Sequence, residues 1–104
     1  MIVATSDFIP GKKIVKVIGL AKGNTIRARH LGRDIAAGLK NIVGGEIRDY
    51  TKMMAESREQ ALDRMIESAE SMGANAVITV RFSTSMIMQS ASEILAYGTA
   101  IVVE

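Results

Sequence analysis

The sequence predicts an α/β fold of the α+β kind, an antiparallel β-sheet packed on one long helix with a short helix beside it. Three observations carry that expectation. The run from Ser57 to Ile78 passes from an amphipathic helix through Gly73 directly into a strand. Asn75–Met88 then reads as a long strand, with Ala76, Ile78, Val80, Phe82, Thr84 and Met86 on one face. Gln89–Ser92 makes a turn, and Ile94–Val103 returns antiparallel.

The remaining elements follow in chain order. Ile2–Thr5 is a short apolar strand, and Asp7–Gly11 is a turn in which Pro10 fixes φ and Gly11 frees it. Lys13–Ala21 is rich in Val and Ile and reads as a strand. Gly23-Asn24 signals a turn or bulge, after which Thr25–Arg29 alternates polar and apolar residues in strand fashion. Leu31–Val43 is the short helix, with Leu31, Ile35, Leu39 and Ile42 along one side. Gly44-Gly45 ends it with a reversal. The long helix starts between Glu46 and Tyr50 and runs to Met72. Its stripe is Tyr50, Met53, Met54, Ala61, Met65, Ile66, Ala69 and Met72, and Gly73 stands at the left-handed C′ position.

The chain has 104 residues, the size of a single domain spanning 1–104. It is 48% hydrophobic but 4% aromatic, so its core is built from Ile, Val, Leu, Ala and Met. Small side chains let elements approach closely, but each buries little area at about 25 cal/mol per Å². Thirteen basic against eleven acidic residues leave a net charge of +2, too little to mark a nucleic-acid surface. There is no cysteine, which removes disulfides, thiol nucleophiles and thiolate ligands. The first residues carry no signal-peptide pattern, and no apolar run approaches the roughly 20 residues of a membrane span. The expectation is a soluble cytoplasmic protein with no nucleic-acid or membrane partner.

One pattern points beyond a monomer. A sheet covered on one face alternates apolar and polar residues. Here Ile94, Ala96, Ala100 and Val102 oppose Leu95, Tyr97, Ile101 and Val103, and Val15 and Val17 oppose Ile14, Ile18 and Leu20. Two helices cannot cover both faces, so neighbouring copies are expected to cover the second in a closed homo-oligomer.

Several segments together resemble the YbjQ-like family. They are Gly44-Gly45-Glu46, Tyr50-Thr51, Ser57-Arg58-Glu59-Gln60-Ala61, Met72-Gly73-Ala74-Asn75-Ala76-Val77 and Tyr97-Gly98-Thr99-Ala100. The family comprises small bacterial and archaeal proteins often labelled heavy-metal-binding domains. The likeness spans the whole chain in order. It implies a dodecin-like subunit and homopentameric assembly, and it implies no established reaction and no catalytic residue. Gly73, Asn75 and Gly98 also have structural readings. Gly73 caps the helix, Asn75 bonds the turn backbone, and Gly98 marks a bulge or a close approach to the helix. Arg58 and Glu59 are adjacent on the helix and do not face each other, so each finds its partner elsewhere.

Three residue sets are candidate sites. His30 and Asp34 have helical i, i+4 spacing, but two ligands fall short of the three or four that zinc takes. An ordinary polar role for His30 at the strand-to-helix junction accounts for it better, since a lone His is a weak signal. Met86 and Met88 alternate onto one strand face, and thioethers bind Cu(I). Methionine also fills irregular core gaps. Arg27, Arg29, His30 and Arg33 form a basic cluster. Arg27 and Arg29 share a strand face, and Arg33 lies near a helix N-terminus that attracts anions. A solvated face with Asp34 as counter-charge accounts for the same residues. No Gly-rich phosphate loop is present, and Ser83, Thr84 and Ser85 have no second His, Cys or carboxylate pair beside them. The residues name no cofactor.

The expectation is therefore an oligomeric ring protein without catalysis, binding a small anionic ligand or partner at subunit interfaces through Arg27, Arg29, His30 and Arg33. Metal binding or metal homeostasis is the alternative, resting on the family label more than on the weak ligand candidates His30 and Asp34, and an enzyme with an inter-subunit site is the third.

Overall fold

The computed structural model describes residues 1–28, 45–88 and 91–104. In that range the chain forms β1 (Ile2–Val3), β2 (Ile14–Ala28), α1 (Gly45–Ser71), β3 (Ala76–Met88) and β4 (Ala91–Val103). The strands make one sheet in the order β1-β3-β4-β2. β4 lies centrally and pairs antiparallel with both long neighbours. β1 pairs parallel with β3, so the sheet is mixed rather than wholly antiparallel. The expected short helix Leu31–Val43 and the residues Arg29, His30, Arg33, Asp34 and Gly44 lie outside the described residues.

α1 forms because its apolar residues recur at helical spacing and its end is built to stop. Gly73 adopts φ +90°, the left-handed conformation expected of it. Its N–H bonds the Glu70 carbonyl at 3.0 Å, while the Ala74 N–H reaches back to the Ala69 carbonyl at 3.1 Å. These two bonds satisfy carbonyls that the helix leaves open. Gly45, expected to close the preceding element, is instead the first residue of α1.

Gly23-Asn24 is neither a turn nor a bulge. β2 runs through it without a break, pairing Gly23 with Ala96 and Asn24 with Leu95. The glycine is required by the helix above it. A Cβ there would meet the Met65 backbone nitrogen and lie 2.5 Å from the Ala61 carbonyl oxygen. The sheet face under α1 is paved with small residues, Ala21, Gly23, Ala96, Gly98 and Ala100, while Ser57, Ala61 and Ala69 are buried on the helix. Met65, Val77, Val80 and Ile94 fill the remaining space. Shallow surfaces allow backbones to approach closely and keep packing dense despite the lack of aromatic residues.

Gly98 also marks a close approach, but to β3 rather than to the helix. A Cβ there would lie 2.7 Å from Val77 Cγ1 and 2.9 Å from the Ile78 carbonyl. The β3 register slips between Ile78 and Arg81 opposite Gly98, and Thr79 adopts φ +54°. For a β-branched residue that conformation costs on the order of 1–3 kcal/mol. Two backbone bonds hold it: Thr79 N–H to the Ser6 carbonyl at 2.9 Å and Val80 N–H to the Ala4 carbonyl at 3.1 Å. The N-terminal segment thus covers the edge of β3 as far as the bulge.

The second face of the sheet is partly covered by the chain itself. Ala76, Ile78, Ile101 and Val103 form a small core there, packed by Ile9 and Ile14. At that end the chain itself supplies cover for the face. It stands open along β2, where Val17 is 65% exposed, Leu20 61% and Ile26 58%.

Asn75 does not bond the turn it sits in. Its Nδ2 donates to the Val103 carbonyl at 2.9 Å and its Oδ1 accepts from the Val103 N–H at 2.8 Å. The side chain thereby imitates a strand residue and extends the β3–β4 ladder by one step.

Replacing Gly23 with Ala should cost about 3 kcal/mol in urea unfolding, because the obstruction is helix backbone rather than a movable side chain. Alanine at Gly11, where open space surrounds the position and only φ +79° opposes it, should cost about 1 kcal/mol.

Candidate functional site

The close helix–strand approach at Gly23 sets the geometry four residues further along β2. Thr25 and Arg27 share the helix-side face with Gly23, and both meet the same turn of α1. The Thr25 hydroxyl donates to the Ser57 carbonyl at 3.3 Å. Arg27 Nε donates to Ser57 Oγ at 2.7 Å, and Ser57 Oγ donates to the Met53 carbonyl one helical turn back at 3.0 Å. Arg27 Nη2 donates to Gln60 Oε1 at 2.5 Å. Ser57 and Gln60 lie three apart, so both face β2 from adjacent positions on the helix.

Two properties follow. Ser57 is fully buried and both its hydroxyl roles are used, so it acts as a bridge between strand and helix. Arg27 is half-buried, and its partners are neutral. A guanidinium has five N–H donors in a rigid fork. Pinning Nε and Nη2 fixes the plane of that fork and leaves further donors for a ligand. Among the described residues no carboxylate bonds it.

Of the expected cluster, only Arg27 falls within the described residues, and the structure joins it to Ser57, Gln60 and Thr25. The sequence reading did not assign those three to a site. A signal was present for Ser57. It occupies the slot three after Met54 and four before Ala61, so the apolar stripe passes through a hydroxyl. A polar residue there must be satisfied from outside the stripe. Arg58 is exposed on α1 and takes no part in the bridge.

A second polar chain runs along the edge of β2. Arg64 Nη1 donates to the Asn24 carbonyl at 2.6 Å, and Asn24 Nδ2 donates to Glu93 Oε2 at 3.0 Å. It ties α1 to an edge carbonyl.

The described residues do not form a heavy-metal centre. Among them no group of three or more His, Asp or Glu converges, and the chain contains no cysteine. The thioether pair also fails. β3 slips register between Met86 and Met88, which pair with the adjacent residues Ser92 and Ala91 of β4. Neighbours on one strand point to opposite faces, so the two sulfurs divide between the faces instead of sharing one. His30 and Asp34 lie outside the described residues.

Comparison with known proteins fits this architecture. The family described as "Putative heavy-metal-binding", the YbjQ-like family, matches residues 1–104. The chain belongs to that family. A UPF0145 protein of Methanosarcina acetivorans is 59% identical over 101 residues, covering 97% of this chain and 95% of the relative. A UPF0145 protein of Dehalococcoides mccartyi strain 195 is 58% identical over the full length of both chains. The fold is similar to a crystal structure from Pediococcus pentosaceus ATCC 25745, a protein of unknown function in the DUF74 family. The TM-score is 0.69 at 15% identity, covering 100% of this chain and 98% of that one. At that identity the likeness concerns the fold alone. For this YbjQ-like chain the family description names a metal, and among the described residues no group of three or more His, Asp or Glu converges.

Replacing Ser57 with Ala should cost about 2 kcal/mol in thermal or urea unfolding, because it strands the Arg27 Nε–H in a half-buried site. Gln60→Ala, which removes a more exposed partner, should cost less than about 1 kcal/mol.

Proposed function

We propose that this chain is a non-catalytic subunit of a closed homo-oligomeric ring, dodecin-like in its subunit and pentameric, that takes a small anionic ligand or acidic partner at Arg27. The carrying observation is the guanidinium itself, half-buried, oriented by two neutral side chains and bonded to no described carboxylate. A cation partly removed from water, with no carboxylate bonded to it among the described residues, favours an anion placed against the donors that Ser57 and Gln60 do not use. Arginine presents them in a plane suited to carboxylate or phosphate.

Assembly is supported by the apolar residues left open on β2. Val17, Leu20 and Ile26 stand on an edge strand, with the half-buried Leu95 and Tyr97 across the outer face. An exposed apolar edge of this length is a surface that proteins ordinarily cover. In a ring each copy would present the Arg27 site once, near a boundary with the next. No described helix is long and apolar enough to cross a membrane, and we place the ring in the cytoplasm. No observation among the described residues favours the metal-binding or enzymatic alternatives.

Native mass spectrometry of untagged, chelator-free protein should show five copies. The double variant Val17→Lys, Leu20→Lys should move it to monomer while keeping its circular dichroism. A wild-type protein that sediments as a single monomeric species at micromolar concentration contradicts the ring. In calorimetric titration with inorganic phosphate or acetate, Arg27→Gln should weaken binding at least about ten-fold, the loss of one charge-assisted bond. Gln60→Ala should weaken it less.

A further inference from the structure

Resting on that reading of Arg27, we infer that the anion it takes is amphiphilic, with an acidic head on the guanidinium and an apolar body laid along the helix-side face of β3. The register places Arg27 of β2, Ser92 of β4 and Met86 of β3 in one cross-strand row, and all three share the face on which α1 lies. Two and four residues back along β3, Thr84 and Phe82 stand on the same face.

α1 leaves these β3 residues open. It packs over β2 and β4 and scarcely reaches β3. A helix about 10 Å across covers roughly two strands spaced about 4.8 Å apart, so a third strand lies outside its footprint. Phe82 is 46% exposed and Met86 76%, whereas Val80, two residues before Phe82, is buried at 4%. The result is an apolar shelf beside the helix, roughly 13 Å from Phe82 to Met86 at about 3.3 Å per residue. Its polar end is the row that carries Ser92 and the charge of Arg27.

Charge and polarity therefore select one class of occupant. A small inorganic anion would use Arg27 and leave Phe82 and Met86 in water. An apolar molecule without charge would cover the shelf and make no use of the Arg27 guanidinium, which no described carboxylate bonds. A medium-chain carboxylate satisfies both, its head on Arg27 and its chain reaching across the row toward Met86. Ser92 stands between them in the same row, and the flexible thioether of Met86 adapts to chains of different shape.

The test is calorimetric titration of the full chain with acetate, octanoate and 1-octanol under one buffer condition. Octanoate should bind at least about ten-fold more tightly than acetate, and 1-octanol more weakly than octanoate. The exposed double variant Phe82→Ser, Met86→Ser should bind acetate as the wild type does and lose the gain for octanoate. A melting temperature within a few degrees of wild type would show that its fold is kept. Equal binding of acetate and octanoate, or a gain that survives in the double variant, overturns the amphiphile and leaves the anion reading standing. Binding of 1-octanol as tightly as octanoate, or of neither acid at all, overturns the anion reading and the amphiphile with it.

Discussion

The contact on which the rest depends is the meeting of the Gly23 backbone with the helix backbone at Ala61 and Met65. It fixes how deeply α1 sits on the sheet. With the helix at that depth, Ser57 comes within reach of Thr25 and Arg27, and Arg64 within reach of the Asn24 carbonyl. A side chain at position 23 would lift the helix and lengthen every one of those bonds. The polar bridge therefore depends on the packing of small residues beneath it. A core poor in aromatic residues gains its density from that close approach, and the same approach brings a buried hydroxyl to an arginine.

Much of the fold was legible because its signals are local. The helical stripe and the Gly73 stop are encoded within neighbouring residues and appear where the pattern places them. The strand follows at once, but its expected single face does not hold: the bulge at Thr79 leaves Ala76 and Ile78 on the outer face and turns Val80, Phe82, Thr84 and Met86 to the helix side. Gly23 was misread because a glycine within a strand pattern has two physical origins. One is backbone freedom at a turn and the other is the absence of a Cβ beneath a neighbour. Only the tertiary position of α1 separates them. The parallel pairing of Ile2–Val3 was invisible for a related reason: two residues carry no register information until the bulge at Thr79 is known. Asn75 likewise looked like a turn residue, and its reciprocal bonds to Val103 span 28 positions.

The candidate site was half legible. A basic run beginning at Arg27 drew attention to the right strand, but sequence spacing supplied Arg29, His30 and Arg33 as companions. The described structure adds Ser57 and Gln60, about thirty residues away, while Arg29, His30 and Arg33 lie outside the described residues. A hydroxyl interrupting an apolar stripe is the one local trace of that pairing. Its partner could not be named without the strand's register. The register also divides Met86 from Met88, turning an apparent pair of soft ligands into one residue on each face. The open shelf on β3 is a matter of widths, since one helix covers two strands and leaves the third. No periodicity in the sequence expresses that.

The measurement that most directly tests this dependence is the unfolding free energy of Ser57→Ala in two backgrounds, wild type and Gly23→Ala. If the close approach creates the bridge, Ser57→Ala costs about 2 kcal/mol in the wild type and close to nothing once the helix has been lifted. An equal cost in both backgrounds would mean that the Ser57–Arg27 bond forms whatever lies at position 23, and would contradict the account.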